Sequence, residues 1–432
     1  MQRNRFLGDI LSTLFDRRST ALPSDDTRDI FALCNALLSQ EGDVSGQKLV
    51  AGILAQYRGL SDAEKVGFFS MLNDTLDIDA RALANLAQKY AENPDPDLFE
   101  QVSRAAEPPR QELLRRLNQS PGATADLVSM RTDLLRMMKD HPDLERTNQD
   151  FVHLLRSWFN RGFLVLKQIN WDTPARVLDK IVAYEAVHQI DDWDDLRRRL
   201  YPPDRRCFAF FHPAMPDEPL IFVEVALTQE IPGSIGMVLS EHRDPLPAED
   251  ARVAVFYSIS NCQKGLAGIS FGNLLIKQVV AELTIEFPQL TDFVTLSPMP
   301  GFLKWLDTQT EDPSAGPAAT DILNGTAKGD DVRAMAARYL VLAKRDDERP
   351  VDPVARFHLG NGAEIHDIHA DADSSPHGLA QSAGAMVNYL YDLAHTERNH
   401  EDFALRAVVV SSRTVTALAD GPLTSKPKEL ST

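Results

Sequence analysis

Cysteine is scarce in this chain. Cys34, Cys207 and Cys262 are scattered over 432 residues, without the paired spacing of a zinc site or the density of a secreted disulfide framework. A disulfide-stapled fold is thereby excluded, and a reducing cytoplasm is expected. Long apolar runs are also missing: none approaches the roughly 18 residues that a membrane span needs, so no bilayer crossing is expected. Positive charge is outweighed, with 45 Lys and Arg against 63 Asp and Glu and a net charge of -18. Such a field repels a polyphosphate backbone, so nucleic acid is not an expected partner and an anionic ligand must be held by local donors. No internal repeat and no signal peptide are visible. The N-terminal MQRNRFLGDILSTLFDRRS has arginines and an apolar face, but Asp9 and Asp16 are out of place in a targeting helix, and an ordinary first helix is expected.

What is present describes a globular chain. Hydrophobic residues make up 43% and charged residues 25%, and the length exceeds one ordinary hydrophobic core, so two domains are expected. From about Arg5 to about Arg161 apolar residues recur at three and four, as in LLRRL, LVSMRTDLLRMMKD and FVHLLRSWF, with breaks at Asn93–Asp97, Glu107–Pro109 and Asn118–Ala123. This predicts an all-α helix bundle over residues 1–165. Its apolar stripes are expected to be buried against each other and against a second subunit, giving a homo-oligomer.

After Trp171–Pro174, where Asp172 or Thr173 is placed to cap a helix through ARVLDKIVAYEAV, short β-rich runs take over. They are CFAFF (Cys207–Phe211), LIFVEVAL (Leu220–Leu227), IGMVLS (Ile235–Ser240), VAVFYSIS (Val253–Ser260) and FVTLS (Phe293–Ser297). Helices alternate with only some of them. Residues 166–432 are therefore expected to form a mixed β-sheet flanked by helices, which makes the whole chain α+β. Glu311–Thr320 and Arg345–Pro353 have the composition of exposed connections.

The stretch SISNCQKGLAGI (Ser258–Ile269) joins an apolar run to a helix expected from Ile269 to Glu286, whose row Phe271, Leu275, Val279 and Leu283 should face the sheet. Gly265 and Gly268 allow a tight turn and bring backbone N–H groups close to a ligand, while the helix adds its positive end. The geometry suits a pyrophosphate, although neither a Rossmann fingerprint nor a P-loop is written here. The alternative is that the glycines only relieve crowding at a strand-to-helix turn. The loop resembles the Q/R-x-x-G-x-G/A loop of the GNAT acyl-transferase superfamily, which holds the pyrophosphate of coenzyme A. The tyrosine acid and the amine route common in GNAT acetyltransferases cannot be located.

Two further segments, TLSPMPGF (Thr295–Phe302) and DPVARFHLGNGA (Asp352–Ala363), carry a stronger likeness. With HPAMPDEPLIFVEVAL (His212–Leu227), TPARVLDKIVAYEAVH (Thr173–His188) and MVNYLY (Met386–Tyr391), the chain resembles the malonyl-CoA decarboxylase family over most of residues 160–395, and more loosely in the helical half. The resemblance implies a helical assembly domain joined to a GNAT-like domain that converts malonyl-CoA to acetyl-CoA and carbon dioxide. It implies Ser297 and His358 as catalytic residues and Tyr391 as a supporting contact in a helix-like run, with His212 kept as a second. It places CoA binding on Gln263, Gly265, Leu266, Ala267, Gly268, Ile269, Ser270, Phe271, Gly272 and Asn273. The chain ends Glu-Leu-Ser-Thr rather than Ser-Lys-Leu, so peroxisomal routing is not expected.

The chemistry stands beside the name. Loss of carbon dioxide from a malonyl thioester pushes an electron pair into the thioester carbonyl, so the substrate is its own electron sink and no cofactor beyond CoA is expected. The protein has to orient the carboxylate, stabilise the enolate oxygen and protonate the remaining carbon. His358 suits proton donation because its unperturbed pKa of about 6.5 lies near working pH, with Ser297 orienting the carboxylate or relaying the proton. Each has a plainer reading: Ser297 as a turn residue before Pro298, His358 as a satisfied core histidine, Tyr391 and Cys262 as packed side chains. His366, His369, Asp371 and Asp373 in EIHDIHADAD resemble metal ligands, but a solvated loop without metal is expected. The competing functions are a GNAT-type N-acetyltransferase and a non-catalytic acyl-CoA sensor.

Overall fold

A computed structural model describes residues 27–39, 43–269 and 272–423. The expected first helix, Ser270, Phe271 and the last residues from 424 lie outside them. The described chain forms two compact units: one holds the residues up to Val165 with Phe211–Glu218 and 263–269, the other Leu166–Phe210, Pro219–Cys262 and 272–423.

The first unit is helical. Its helices are α1 (Ile30–Ser39), α2 (Asp43–Gly59), α3 (Asp62–Asp74), α4 (Ala80–Glu92), α5 (Pro96–Ala105), α6 (Pro109–Asn118), α7 (Ala123–Met137) and α8 (Glu145–Trp158). Local chemistry sets their starts: Ser61 and Glu64 form a capping box before α3, Asp79 caps α4, and Asp95 with Pro96 opens α5. The predicted breaks fall between α4 and α5, α5 and α6, and α6 and α7. Phe68, Phe69, Leu113, Leu117, Leu127, Leu134 and Leu155 meet in the core.

The second unit is a mixed sheet covered by helices. β1 (Val165–Ile169), β2 (Arg205–Phe211), β3 (Ile221–Thr228), β4 (Val253–Asn261), β5 (Asp292–Thr295), β6 (Ser297–Pro298), β7 (Glu364–His369) and β8 (Met386–Leu390) lie in the order β1-β2-β3-β4-β5-β8-β6, with β7 also on β8. β4 and β5 run parallel, while β2–β3, β3–β4, β5–β8, β6–β8 and β7–β8 run antiparallel. A parallel pair needs a crossover, and the helix Gly272–Glu286 supplies it. Helices α9 (Ala175–Tyr184) and α10 (Trp193–Leu200) precede β2, α11 (Ile235–Leu239) precedes β4, and α12 (Gly272–Glu286) precedes β5. Between β6 and β7 come α13 (Phe302–Gln309), α14 (Gly316–Leu323), α15 (Gly329–Val341) and α16 (Pro353–Gly360); α17 (Pro376–Ser382) precedes β8, and α18 (Thr396–Arg406) and α19 (Arg413–Asp420) follow it. Leu275, Val279 and Leu283 of α12 are buried as the expected row requires. The result is the expected α+β class, a helical N-terminal region and a mixed sheet flanked by helices.

Several local expectations are corrected. Residues 235–239 are helical rather than a strand: Ser234 accepts from Gly236 N at 3.2 Å, and Ile235 and Val238 turn inward at a spacing of three while Met237 is 70% exposed. The run Met386–Tyr391 is strand β8 with the residue that follows it rather than a helix, so Tyr389 and Tyr391 share a face by a period of two. Glu364–His369 is strand β7 rather than a loop, because Ile365 and Ile368 both enter the core. The stretch after Glu311 is not all exposed, since Ala318, Ala319 and Ile322 of α14 are buried, and Asp352 after Arg345 is fully covered. Helix α9 starts after Pro174 without a side-chain cap; Thr173 Oγ1 instead accepts from Asn170 N at 3.0 Å.

Candidate active site

Two strands and one helix of the second unit build the site. β5 and β6 are separated by buried Leu296, so Thr295 and Ser297, two apart on extended backbone, face the same side. Ser297 Oγ donates to Thr295 Oγ1 at 2.9 Å. Thr295 Oγ1 also accepts from Tyr389 N at 3.2 Å, and its carbonyl accepts from Asn388 Nδ2 at 2.8 Å. Thr295 is thereby tied to β8 at both backbone and side chain.

His358 comes from the last turn of α16. Asp352 starts that helix by accepting from Ala355 N at 2.7 Å, with Pro353 in the first turn, and Tyr339 donates to the same carboxylate at 3.1 Å. The end is sharp: Asn361 N and Ala363 N both donate to the His358 carbonyl, and Gly362 turns the chain with φ of +87°. A Cβ on Gly362 would lie 2.0 Å from the Thr396 carbonyl, so only glycine fits. In the SPMPGF segment, Gly301 has a packing reason too: a Cβ there would come within 2.3 Å of the Tyr339 hydroxyl.

These elements bring three of the expected residues together. His358 Nε2 lies 3.2 Å from Ser297 Oγ, and His358 Nδ1 lies 2.8 Å from the Tyr391 hydroxyl. The imidazole stacks on the Tyr389 ring with centroids 4.5 Å apart and meets Phe357 edge-on. Ser297, His358 and Tyr391 are 6%, 3% and 3% exposed. The last turn of a helix favours a cation by up to about 2 kcal/mol, but desolvation prevails and pushes His358 down to about 3. The imidazole is therefore neutral at neutral pH, which corrects the expectation of an ordinary pKa near 6.5. Burial also pushes the Tyr391 hydroxyl well above its usual range.

His212 belongs to the helical unit. Its Nδ1 accepts from Ala214 N at 3.1 Å, its Nε2 faces the Trp158 carbonyl at 3.2 Å, and its ring lies on Phe159. Both nitrogens are thus engaged there, and burial lowers its pKa.

The loop Gln263–Ile269 also packs in that unit. A Cβ on Gly265 would lie 1.9 Å from the Val128 carbonyl, so this glycine answers a close approach to α7. Arg131 Nη1 donates to the Gly265 and Ala267 carbonyls at 2.6 and 2.9 Å. Gly268 has φ of +78°, and the amides of Leu266, Ala267 and Ile269 close the loop on itself. A cleft of about 550 Å³ in the second unit, lined by residues such as Arg205, Thr228, Met237 and Arg243, includes none of the candidates.

Thr295, Tyr389, Asn388, Asp352 and Tyr339 are the members that motif reading missed. A signal existed for Thr295, since a hydroxyl two residues before Ser297 in a β-rich run shares its face. Tyr389 likewise stands two residues before Tyr391, and Asp352 opens the segment that carries His358, whereas nothing local points to Asn388 or Tyr339.

The model of the malonyl-CoA decarboxylase C-terminal domain matches residues 162–430, and that of the N-terminal domain residues 76–159. The chain belongs to the malonyl-CoA decarboxylase family. The mitochondrial malonyl-CoA decarboxylase of Anser anser anser is 37% identical over 328 residues, 66% of this chain and 64% of that protein. That of Mus musculus is 36% identical over 327 residues, 66% of each. The match thus spans slightly under two thirds of the length of these relatives. The crystal structure of malonyl-CoA decarboxylase from Rhodopseudomonas palustris gives a TM-score of 0.84 at 47% identity, covering 89% of this chain and 98% of that one. The one from Agrobacterium vitis gives 0.83 at 47%, covering 90% and 99%.

Proposed function

We propose that the protein decarboxylates malonyl-CoA to acetyl-CoA and carbon dioxide, with no cofactor beyond the substrate's own CoA. The observation that carries this is the buried chain Ser297–His358–Tyr391 in a member of this family. When the carboxylate leaves, the electron pair passes into the thioester carbonyl and an enolate remains. Its carbon is a strong base, so a neutral relay is acid enough to protonate it. Ser297 Oγ–H goes to carbon, His358 Nε2–H to the serine oxygen, and Tyr391 O–H to His358 Nδ1. The phenolate then recovers a proton from solvent, so the one proton that the reaction consumes is accounted for. Burial supports this role, because a neutral imidazole can pass a proton in at one nitrogen and out at the other.

The Gln263–Asn273 stretch is proposed to hold CoA, supported by its likeness to the GNAT loop and by the Gly265 and Ala267 carbonyls, which Arg131 binds. Assembly through the helical unit is proposed on α4 and α5, where no side chain is buried and Phe99 is 57% exposed. A reducing compartment such as the cytoplasm is proposed on three buried cysteines, none of which is in a disulfide. Among the described residues no helix is long and apolar enough to cross a membrane.

Incubating the purified protein with malonyl-CoA alone tests the reading. Acetyl-CoA and carbon dioxide must appear without any acceptor. Turnover of acetyl-CoA only on adding an amine would favour an acetyltransferase instead, and binding without turnover a sensor.

A further inference from the structure

We propose that Thr295 is a positioning residue that turns the Ser297 hydroxyl away from His358 and so keeps the imidazole proton on Nε2. The proposal rests on the decarboxylase reading and deepens it. A serine next to a histidine can be wired in two directions. When the serine proton points at Nε2, the histidine is a base, the serine is a nucleophile, and acyl transfer follows. When Nε2 carries the proton and points at the serine oxygen, the same pair is an acid that delivers a proton outward.

The geometry selects the second wiring. The Ser297 hydroxyl has one proton, and it is directed at Thr295 Oγ1 at 2.9 Å. The 3.2 Å contact between Ser297 Oγ and His358 Nε2 then needs its proton from the imidazole. A neutral ring with Nε2–H has a bare Nδ1, and that nitrogen meets the Tyr391 hydroxyl at 2.8 Å, a donor. Each contact along Thr295, Ser297, His358 and Tyr391 is thus satisfied with one proton apiece. Thr295 can hold this orientation because it is immobile: it is fully buried, its Oγ1 is shared with Tyr389 N, and its carbonyl is bound by Asn388 Nδ2. Asn388 is in turn fixed by His369 Nε2 at 2.5 Å from its Oδ1.

The test compares full-length wild type, Thr295→Val and Thr295→Ser. Nitrogen-15 labelling of histidine, with the His358 signals assigned by difference against His358→Gln, reads the tautomer in the substrate-free protein. Wild type and T295S are expected to carry the proton on Nε2, and T295V to shift toward Nδ1–H as the serine proton swings onto the ring. With malonyl-CoA, T295V is expected to lose at least tenfold in kcat with KM changed less than twofold, while T295S stays within threefold of wild type in kcat. An Nδ1–H tautomer in wild type overturns the proposal. So does a T295V protein with unchanged tautomer, or a T295S protein that loses as much activity as T295V, since either leaves Thr295 a packing role alone. Should T295V fail to fold, the tautomers of wild type and T295S decide the matter. Wild type that holds Nε2–H yet leaves malonyl-CoA intact would remove the decarboxylase reading while leaving the wiring in place.

Discussion

Replacing His358 by glutamine should make the second unit less sensitive to acid. The free histidine value of 6.5 falls to about 3 in the folded chain because burial penalises the imidazolium. For a base with a depressed folded pKa, the unfolded state takes up the proton first. Stability is therefore full above pH 6.5 and declines as the pH falls toward 3. Linkage with these two values gives a loss of about 2 kcal/mol between pH 7 and pH 5 from this one group. His188 is also pushed down, to about 4, by burial, but it is common to both proteins and cancels in the comparison. The introduced glutamine cannot titrate and keeps a polar atom for Ser297. Urea unfolding of wild type and His358→Gln, at pH 7 and at pH 5, measures the difference of differences, so any fixed cost of the substitution drops out. The variant should lose about 2 kcal/mol less than wild type over that interval. Equal losses would show that His358 is not held neutral, and the neutral relay would fall with it.

The remaining expectations concern the site and its supports. Ser297→Ala removes the hydroxyl between His358 and the substrate carbon and should lower kcat by about 10²- to 10⁴-fold, with CoA affinity by calorimetry nearly unchanged; a variant that turns over near the wild-type rate excludes the serine from the chemistry. Tyr391→Phe leaves the buried His358 Nδ1 without its 2.8 Å partner, so kcat should fall at least tenfold and stability by about 1–3 kcal/mol; full activity would end the relay at His358. Gly265→Ala sets a methyl 1.9 Å from the Val128 carbonyl, and because backbone must move the helical unit should lose about 1–3 kcal/mol; an unchanged melting temperature would show that the loop yields freely. Asp352→Ala removes the cap of α16 and the acceptor of the Tyr339 hydroxyl, costing about 1–3 kcal/mol and lowering kcat by displacing His358; loss of stability with intact kcat would separate the helix start from the histidine.

Much of this architecture was legible from local rules. The helical half announced itself by spacing at three and four and by its breaks, whereas the caps Ser61, Asp79 and Asp95 that start three of its helices became plain only in the structure. The strands at Arg205–Phe211, Ile221–Thr228 and Val253–Asn261 were equally plain, because burial on both faces favours a largely apolar run, interrupted here by few polar residues such as Glu224. Ile235–Leu239 failed for the same reason that these succeeded. A five-residue apolar run has too few positions to tell a period of two from one of three and a half, and Ser234 decided it through a single hydrogen bond. Gly265 and Gly268 illustrate a second limit. Their presence was informative, but one is required by the carbonyl of Val128, far away in the chain, and the other by a left-handed turn.

The site itself divides along the same line. Ser297, His358 and Tyr391 could be named only through family resemblance, since each has an ordinary structural reading and no spacing links residues so far apart. Their chemical state could not be named at all. Whether His358 is an imidazolium or a neutral ring depends on what covers it, and the cover is the Tyr389 face, the Phe357 edge and the end of α16 held shut by Gly362. A charged histidine beside a serine would be ready to give a proton without further help. A neutral one depends on the groups at both ring nitrogens, the hydroxyls of Ser297 and Tyr391, and on Thr295, which orients the first of them. The unit of chemistry is then the four-residue chain rather than a pair. It follows that the largest rate effects outside Ser297 and His358 should fall on the two hydroxyls that orient and reload the imidazole, and not on the aromatic residues that merely bury it.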